Sequence, residues 1–320
     1  LVTRGAITTP EQTVPGLALP EPWEACVTMG TQWQYKPTND NLKSGTRLIE
    51  LLIESRAKGG SLLLNIGPHP DGSMPAPQEE RLREVAAWMF INREGIYNVR
   101  PWIITHEDDV WFARHKQEPT VYAFATRQHD WPRGERREVL LRSVKATGNT
   151  TVSVLGQSGE VVEYQPETDA TTRFEQTADG LKVSLVRAHR IYNNHSWHNP
   201  LVIKITNAAP ALDPPFVQTT EARPQGNRVV LKGELINKGD SNELKAGFYY
   251  RPYAGFIGNL YSSEWQKTEM VPLNGQEGFS TTLNNLQPGI EYEYRAVVQH
   301  PQLEVPGEIM RFTTRARDGQ

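Results

Sequence analysis

The 320-residue chain contains one cysteine, Cys26, which excludes an internal disulfide and any multi-cysteine metal site. It leaves the compartment open, because large secreted domains often manage without bridges. Long apolar runs are also lacking. Stretches such as Leu62–Leu64 fall far short of the ~20 residues that cross a bilayer, so no membrane span is expected. Charge of one sign is lacking too: 34 basic against 37 acidic residues give a net charge of −3. That balance provides no field for a polyanion, which argues against nucleic acid as a partner. There are no repeats and no low-complexity tracts. The chain begins at Leu1 without Met, a basic start or an apolar signal segment and reads as part of something longer. The localisation stays unknown from composition.

What is present is a soluble, globular composition, with 38% apolar and 22% charged residues. The length allows about two or three domains at ~100–200 residues each. The pattern divides into residues 1–103, 104–208, a linker over 209–215 and 216–320. The first part reads as alternating strands and helices. A strand ends at Thr3-Arg4-Gly5 and a long loop runs from Thr9 to Pro22. A short buried strand follows over Ala25–Met29, then a helix from Asn41 to Ala57 stopped by Gly59-Gly60. Ser61–Ile66 is a near-continuous apolar run, expected to be covered on both faces. A second helix spans about Gln78–Asn92, with Leu82, Val85, Ala86, Met89 and Phe90 as its apolar stripe. This is the end of a βα series and hence a parallel sheet. It is too short to close a barrel of ~250 residues.

From 104 to 208 the period becomes two. Strands are expected over Val110–Ala113, Thr120–Ala125, Glu138–Arg142, Thr151–Leu155, Val161–Tyr164, Leu181–Val186 and Leu201–Ile205. That many short strands at this spacing indicate an antiparallel β-sandwich. Ala208–Pro215 reads as a proline-stiffened linker. Alternation then resumes. Leu286-Gln-Pro-Gly-Ile-Glu-Tyr292 resembles the corner of a fibronectin type III sandwich.

Reactive candidates are sparse in the two β regions. His195-Ser-Trp-His198 could be a metal pair but lacks a third ligand nearby, so two solvated turn histidines are the plainer reading. Trp131 and Trp197 are the aromatic candidates for sugar contact there. In the first part, Arg4, Trp23, Glu24 and Asn65–Pro68 are read at or near the ends of barrel strands, where such folds keep their chemistry. An Arg fork, a carboxylate and a Trp could hold a sugar. Each also has a plain structural reading, as surface ion pair, ordinary carboxylate or core aromatic. No cofactor and no metal are implied.

Several of these residues occur as longer motifs. Pro22-Trp-Glu-Ala-Cys-Val-Thr-Met29, then Trp33-Gln-Tyr35, then Lys58-Gly-Gly-Ser-Leu-Leu-Leu-Asn-Ile-Gly-Pro68 with Asp71-Gly72, then Asn92-Arg-Glu-Gly-Ile-Tyr97 and Arg100-Pro-Trp102 resemble family 29 α-L-fucosidases. The resemblance implies the fold class as well. It is multidomain, α/β plus all-β: the C-terminal portion of a (β/α)8-type barrel followed by two antiparallel β-sandwiches, the last fibronectin type III-like.

The resemblance further implies a retaining glycoside hydrolase that removes terminal α-L-fucose from glycans. Such chemistry uses two carboxyl groups about 5–5.5 Å apart, one a nucleophile and one an acid/base. Glu24 matches the acid/base position, Arg4 a sugar-contacting arginine, and Trp23 and Trp33 further substrate-binding positions. The family's nucleophile lies on a strand upstream of the motif, outside this sequence. Gln34 stands where family members usually carry glycine. The implied partners are a fucosylated glycan and either the N-terminal barrel portion or a second copy meeting an open barrel edge. A secreted or periplasmic setting fits such a bacterial hydrolase. The alternative is a non-catalytic carbohydrate-binding or oligomerising fragment.

Overall fold

The computed structural model describes residues 7–19, 21–126, 130–225, 228–253 and 264–314. The expected first strand with Arg4 lies outside the described residues. The chain is mostly β with few helices. It divides into one compact unit of residues 1–14 and 18–211 and a second of residues 15–17 and 212–320.

The first unit begins with β1 (Glu24–Thr28), α1 (Gly45–Ala57), β2 (Ser61–Asn65) and α2 (Ala76–Asn92). β1 and β2 pair in parallel, with Glu24 opposite Ser61 and Thr28 opposite Asn65. The Ser44 side chain accepts from the Arg47 amide and starts α1 four residues later than Asn41. At the other end Gly59 adopts φ +87°, a conformation that costs a residue without Cβ little. The stretch expected as one long loop is more ordered than that. Thr8 bridges Trp23 and Glu11 bridges Cys26, both in parallel, so residues 8–12 run beside β1.

Two expectations for this part need correction. Ser61–Asn65 is not covered on both faces: Leu62 packs inward while Leu63 is 45% exposed. The stripe assigned to α2 is displaced as well. Its most buried residues are Gln78, Glu84, Trp88 and Asn92, while Ala86 is exposed and Phe90 is 81% exposed. Polar side chains can face inward because they find partners there. Gln78 bonds the amide and carbonyl of Gly67, and Asn92 donates to the Trp88 carbonyl and to Tyr192 Oη.

The unit continues with β3 (Val99–Glu107), β4 (Val110–His115), β5 (Thr120–Ala125), β6 (Arg136–Leu141), β7 (Val144–Val154), β8 (Arg173–Thr177), β9 (Gly180–Val186), the short α3 (Arg190–Asn194) and β10 (Leu201–Pro210). A five-stranded sheet runs β3-β4-β5-β10-β7 and a three-stranded sheet β6-β9-β8. One apolar cluster joins Ile49 and Ile53 of α1, Trp88 of α2, Phe112 and Tyr122 of the larger sheet and Val183 of the smaller. The position near residue 103 where the sequence period changes lies inside this unit.

Val161–Tyr164 is not a strand. Tyr164 has φ +61° and Val162 forms only an isolated bridge with Gln165. Ala208–Pro210, assigned to a linker, is the end of β10 and pairs with Val144–Ala146. Pro210 can end the strand without an N–H of its own, because the following amide, of Ala211, donates to the Ser143 carbonyl at 2.9 Å.

The second unit contains β11 (Phe216–Gln225), β12 (Arg228–Asn237), β13 (Lys245–Pro252), β14 (Gln266–Lys267), β15 (Val271–Pro272), β16 (Gly278–Leu283), β17 (Glu291–Gln299), β18 (Glu304–Pro306) and β19 (Met310–Thr313). One antiparallel sheet runs β11-β12-β16. The other is built on β13 and β17. Side chains from both, including Val229, Leu231, Phe248 and Tyr294, make one apolar cluster. The Gln287 amide donates to Tyr292 Oη at 3.2 Å, which pins the turn before β17.

Candidate active site

Alternation along β1 sends its side chains to two different environments. Trp23, Ala25 and Val27 are 3% exposed or less and pack with Leu51 of α1 and Leu62 of β2. The Trp23 indole donates to the Lys58 carbonyl at 3.4 Å. Trp23 is therefore part of the packing beneath the strand and offers no open ring face.

Glu24, Cys26 and Thr28 occupy the opposite side of the strand. Glu24 and Cys26 are half-buried, and the Glu24 side chain has no hydrogen-bond or ion-pair partner among the described residues. The parallel register sets Ser61, Leu63 and Asn65 beside them. This face combines a carboxylate, a thiol, two hydroxyls and an amide around one exposed leucine. Cys26 is a free cysteine.

The C-terminal ends of the two strands are tied together. The Met29 amide donates to the Asn65 carbonyl at 3.0 Å. Thr28 Oγ1 donates to the Gly30 carbonyl at 2.6 Å and accepts from Gln12 Nε2 at 2.8 Å. Lys43 Nζ donates to the Thr28 carbonyl at 2.6 Å. Burial, with Arg47 nearby, pulls the Lys43 ammonium down to about 8, against the opposing pull of Asp40. Asn65 Oδ1 is buried with no hydrogen-bond partner, an unmet acceptor at the end of β2.

Trp33, 36% exposed, lies on the loop that leaves β1. Asp40 fixes that loop by accepting from the Thr31 amide at 2.9 Å and from its hydroxyl at 3.0 Å. The loop crosses Gly67 so closely that a Cβ there would meet the Gln34 carbonyl carbon at 2.8 Å. Gln34 is accommodated without a positive φ. The Tyr35 and His69 rings stand 4.5 Å apart and join the loops after β1 and β2. Sequence reasoning passed over this pair, although Gly67-Pro68-His69 directly follows a strand end.

The structure therefore does not gather all the candidates. Glu24 opens β1 and Trp33 lies beyond its far end. Four residue steps, or about 13 Å of strand at the usual rise, separate Glu24 from Thr28. Trp131 is 2% exposed and donates to the Glu135 carbonyl, which removes it as a sugar contact. His195 is exposed and stacks on Trp197 at 4.3 Å. No group of three or more metal-ligating side chains occurs among the described residues.

Comparison with known proteins gives these residues a context. Residues 1–94 match the family model described as alpha-L-fucosidase. Human plasma alpha-L-fucosidase is 35% identical over 150 residues, covering 44% of this chain and 31% of that protein. A putative alpha-L-fucosidase of Caenorhabditis elegans is 29% identical over 231 residues, covering 65% and 44%. The chain thus spans between about a third and a half of the length of these curated relatives. The crystal structure of alpha-L-fucosidase from a Vibrio species aligns over 97% of this chain and 58% of that one. The TM-score is 0.52 and the identity 16%, a likeness of fold. In sequence, residues 1–94 are alpha-L-fucosidase-like.

Proposed function

We propose that this chain is the C-terminal part of a retaining α-L-fucosidase, with Glu24 as its acid/base. The observation that carries the reading is the half-buried carboxylate of Glu24, without a hydrogen-bond or ion-pair partner among the described residues, on the side of β1 opposite Trp23, Ala25 and Val27, which pack with Leu51 of α1. It stands in the segment that matches the fucosidase model.

In the first step a carboxylate from polypeptide outside this sequence attacks the anomeric carbon. The Glu24 carboxyl gives its proton to the departing oxygen, leaving a fucosyl ester on the nucleophile and a Glu24 carboxylate. In the second step Glu24 takes a proton from water as that water attacks the same carbon. This frees fucose and restores both groups. Arg4 is assigned to sugar contact and Trp33 to the rim beyond the end of β1. Trp23 acts indirectly in this reading, as the packing that sets the height of Glu24.

The part before β3, placed over residues 1–103 from the sequence, supplies the closing strands and helices of a (β/α)8-type barrel. Among the described residues β2 pairs only with β1, and the exposed Leu63 marks the face that further barrel strands would cover. The β-sandwich placed over residues 104–208 from the sequence runs in this reading from β3 to the end of β10. Residues 216–320 form a fibronectin type III-like domain, a reading supported by the bond from the Gln287 amide to Tyr292.

The test uses the chain together with the upstream barrel portion and an aryl α-L-fucoside. The chain alone gives no turnover and the reconstituted pair hydrolyses the fucoside. Glu24→Gln in the pair lowers kcat/KM by about 10²–10⁴, the usual contribution of general acid–base catalysis. Hydrolysis by the pair carrying Glu24→Gln or Glu24→Ala at the rate of the unaltered pair overturns the assignment. Sugar binding without hydrolysis by the reconstituted pair favours the non-catalytic alternative.

A further inference from the structure

A cleft of about 350 Å³ opens where the start of α1, the first turns of α2 and the 195–198 turn meet. That volume falls in the range of small-ligand sites. It is separate from the Glu24 side of β1, because α1 packs through Leu51 on the opposite side of that strand, with Trp23, Ala25 and Val27.

The chemistry of the lining is selective. Arg47 and Arg81 contribute guanidinium groups, and Glu50, Glu80 and Glu84 contribute carboxylates. Arg47 pairs with Glu50 at 3.3 Å and Arg81 with Glu80 at 3.8 Å. With cations and carboxylates so nearly matched, the cleft favours neither an anion nor a cation. Guanidinium only donates hydrogen bonds and carboxylate only accepts them, whereas a hydroxyl does both. A neutral polyhydroxylated ligand meets both kinds of group at once.

Two further features belong to these walls. Arg81 lines the cleft with a side chain 31% exposed, while its Nε–H is buried and has no hydrogen-bond partner among the described residues. His195 stacks nearly parallel on Trp197, with 16° between their planes, and Trp197 in turn packs against the apolar core, so the exposed imidazole of His195 is the outer ring at this edge of the cleft. Glu84, 4% exposed, is the buried acid of the set. Burial raises its carboxyl above the ordinary range, opposed by Asn199, Arg81 and Thr46 beside it.

We propose that this cleft is a second carbohydrate site, taking one neutral monosaccharide unit without acting on it. The site needs no hydrolytic activity and stands or falls independently of Glu24.

The experiment titrates the full chain with L-fucose, D-galactose and N-acetyl-D-glucosamine by two-dimensional NMR, with the Trp197 indole signal identified from Trp197→Phe. At least one sugar is expected to shift that signal saturably. Arg81→Gln and Glu80→Gln are expected to weaken binding by about tenfold or more, and Glu24→Gln to leave it within about twofold. The side chain of Glu80 is 69% exposed, so its replacement tests the cleft without disturbing the core. Binding by none of the three sugars overturns the proposal. So does tighter binding of sulfate or calcium ion in the same cleft. Loss of binding in Glu24→Gln but not in Arg81→Gln assigns the sugar to the other face and also overturns it.

Discussion

Gly60 and Trp23 are in such close contact that no side chain fits between them: a Cβ placed on Gly60 would lie 2.2 Å from the indole Cε2. The turn between α1 and β2 closes directly onto the ring that supports β1. Sequence position ties this contact to Glu24, the next residue along.

Gly60→Ala is therefore expected to destabilise the chain by about 1–3 kcal/mol, the usual cost of overpacking. Chemical denaturation measures it. Because the ring must move, the near-ultraviolet circular dichroism of the folded variant should also change. An unchanged midpoint and spectrum would show that the indole has room the packing does not suggest.

Trp88 of α2 donates through its indole to the Pro200 carbonyl at 2.9 Å, across 112 residues of sequence. Trp88→Phe leaves that buried carbonyl unpaired, at a cost of about 1–3 kcal/mol. Since α1, α2 and the sheets share one apolar cluster, circular dichroism at helix and sheet wavelengths should lose signal at the same denaturant concentration. Two separated transitions within residues 18–211 would contradict this.

His189 bonds the Leu155 carbonyl through Nε2 at 2.8 Å and stacks on Tyr192. Burial pulls its imidazole down from 6.5 to about 4. Between those values the unfolded chain binds a proton that the folded chain refuses. Stability therefore falls as the pH falls through that window, by at most about 1.4 kcal/mol per pH unit from this group. Thermal unfolding from pH 7 to 4.5 should show a steeper loss for the natural chain than for His189→Gln. Parallel curves would remove His189 as the source.

Asp40→Ala removes the carboxylate that holds the Thr31 amide and hydroxyl. The loop bearing Trp33 should loosen while α1 and the sheets persist. Amide hydrogen exchange should accelerate at Thr31 by about tenfold or more, and global stability should drop by about 1–2 kcal/mol.

The sequence carried these features unevenly. β1, α1 and β2 were legible because apolar spacing and the paired Gly59-Gly60 point one way, although the Ser44 cap that starts α1 went unread. The inward face of α2 was not, since Gln78, Glu84 and Asn92 are buried on it and only a fold can supply their partners. β3 escaped notice because Pro101 interrupts its pattern, yet it is an edge strand, where a missing amide is tolerated. Trp23 and Glu24 are adjacent letters with opposite surroundings. Strand alternation predicted that they would differ but could not say which would be covered. The contact between Tyr35 and His69 joins residues whose spacing announces nothing.

The ending of β10 has a practical bearing on how the molecule can be shortened. Composition invites a truncation after Asn207, where prolines gather. That cut would remove the three residues paired with Val144–Ala146, together with the Ala211 amide that donates to Ser143. A shortened gene ending at 207 would yield a frayed sheet prone to clumping, whereas one carried through Ala211 keeps the last rungs closed.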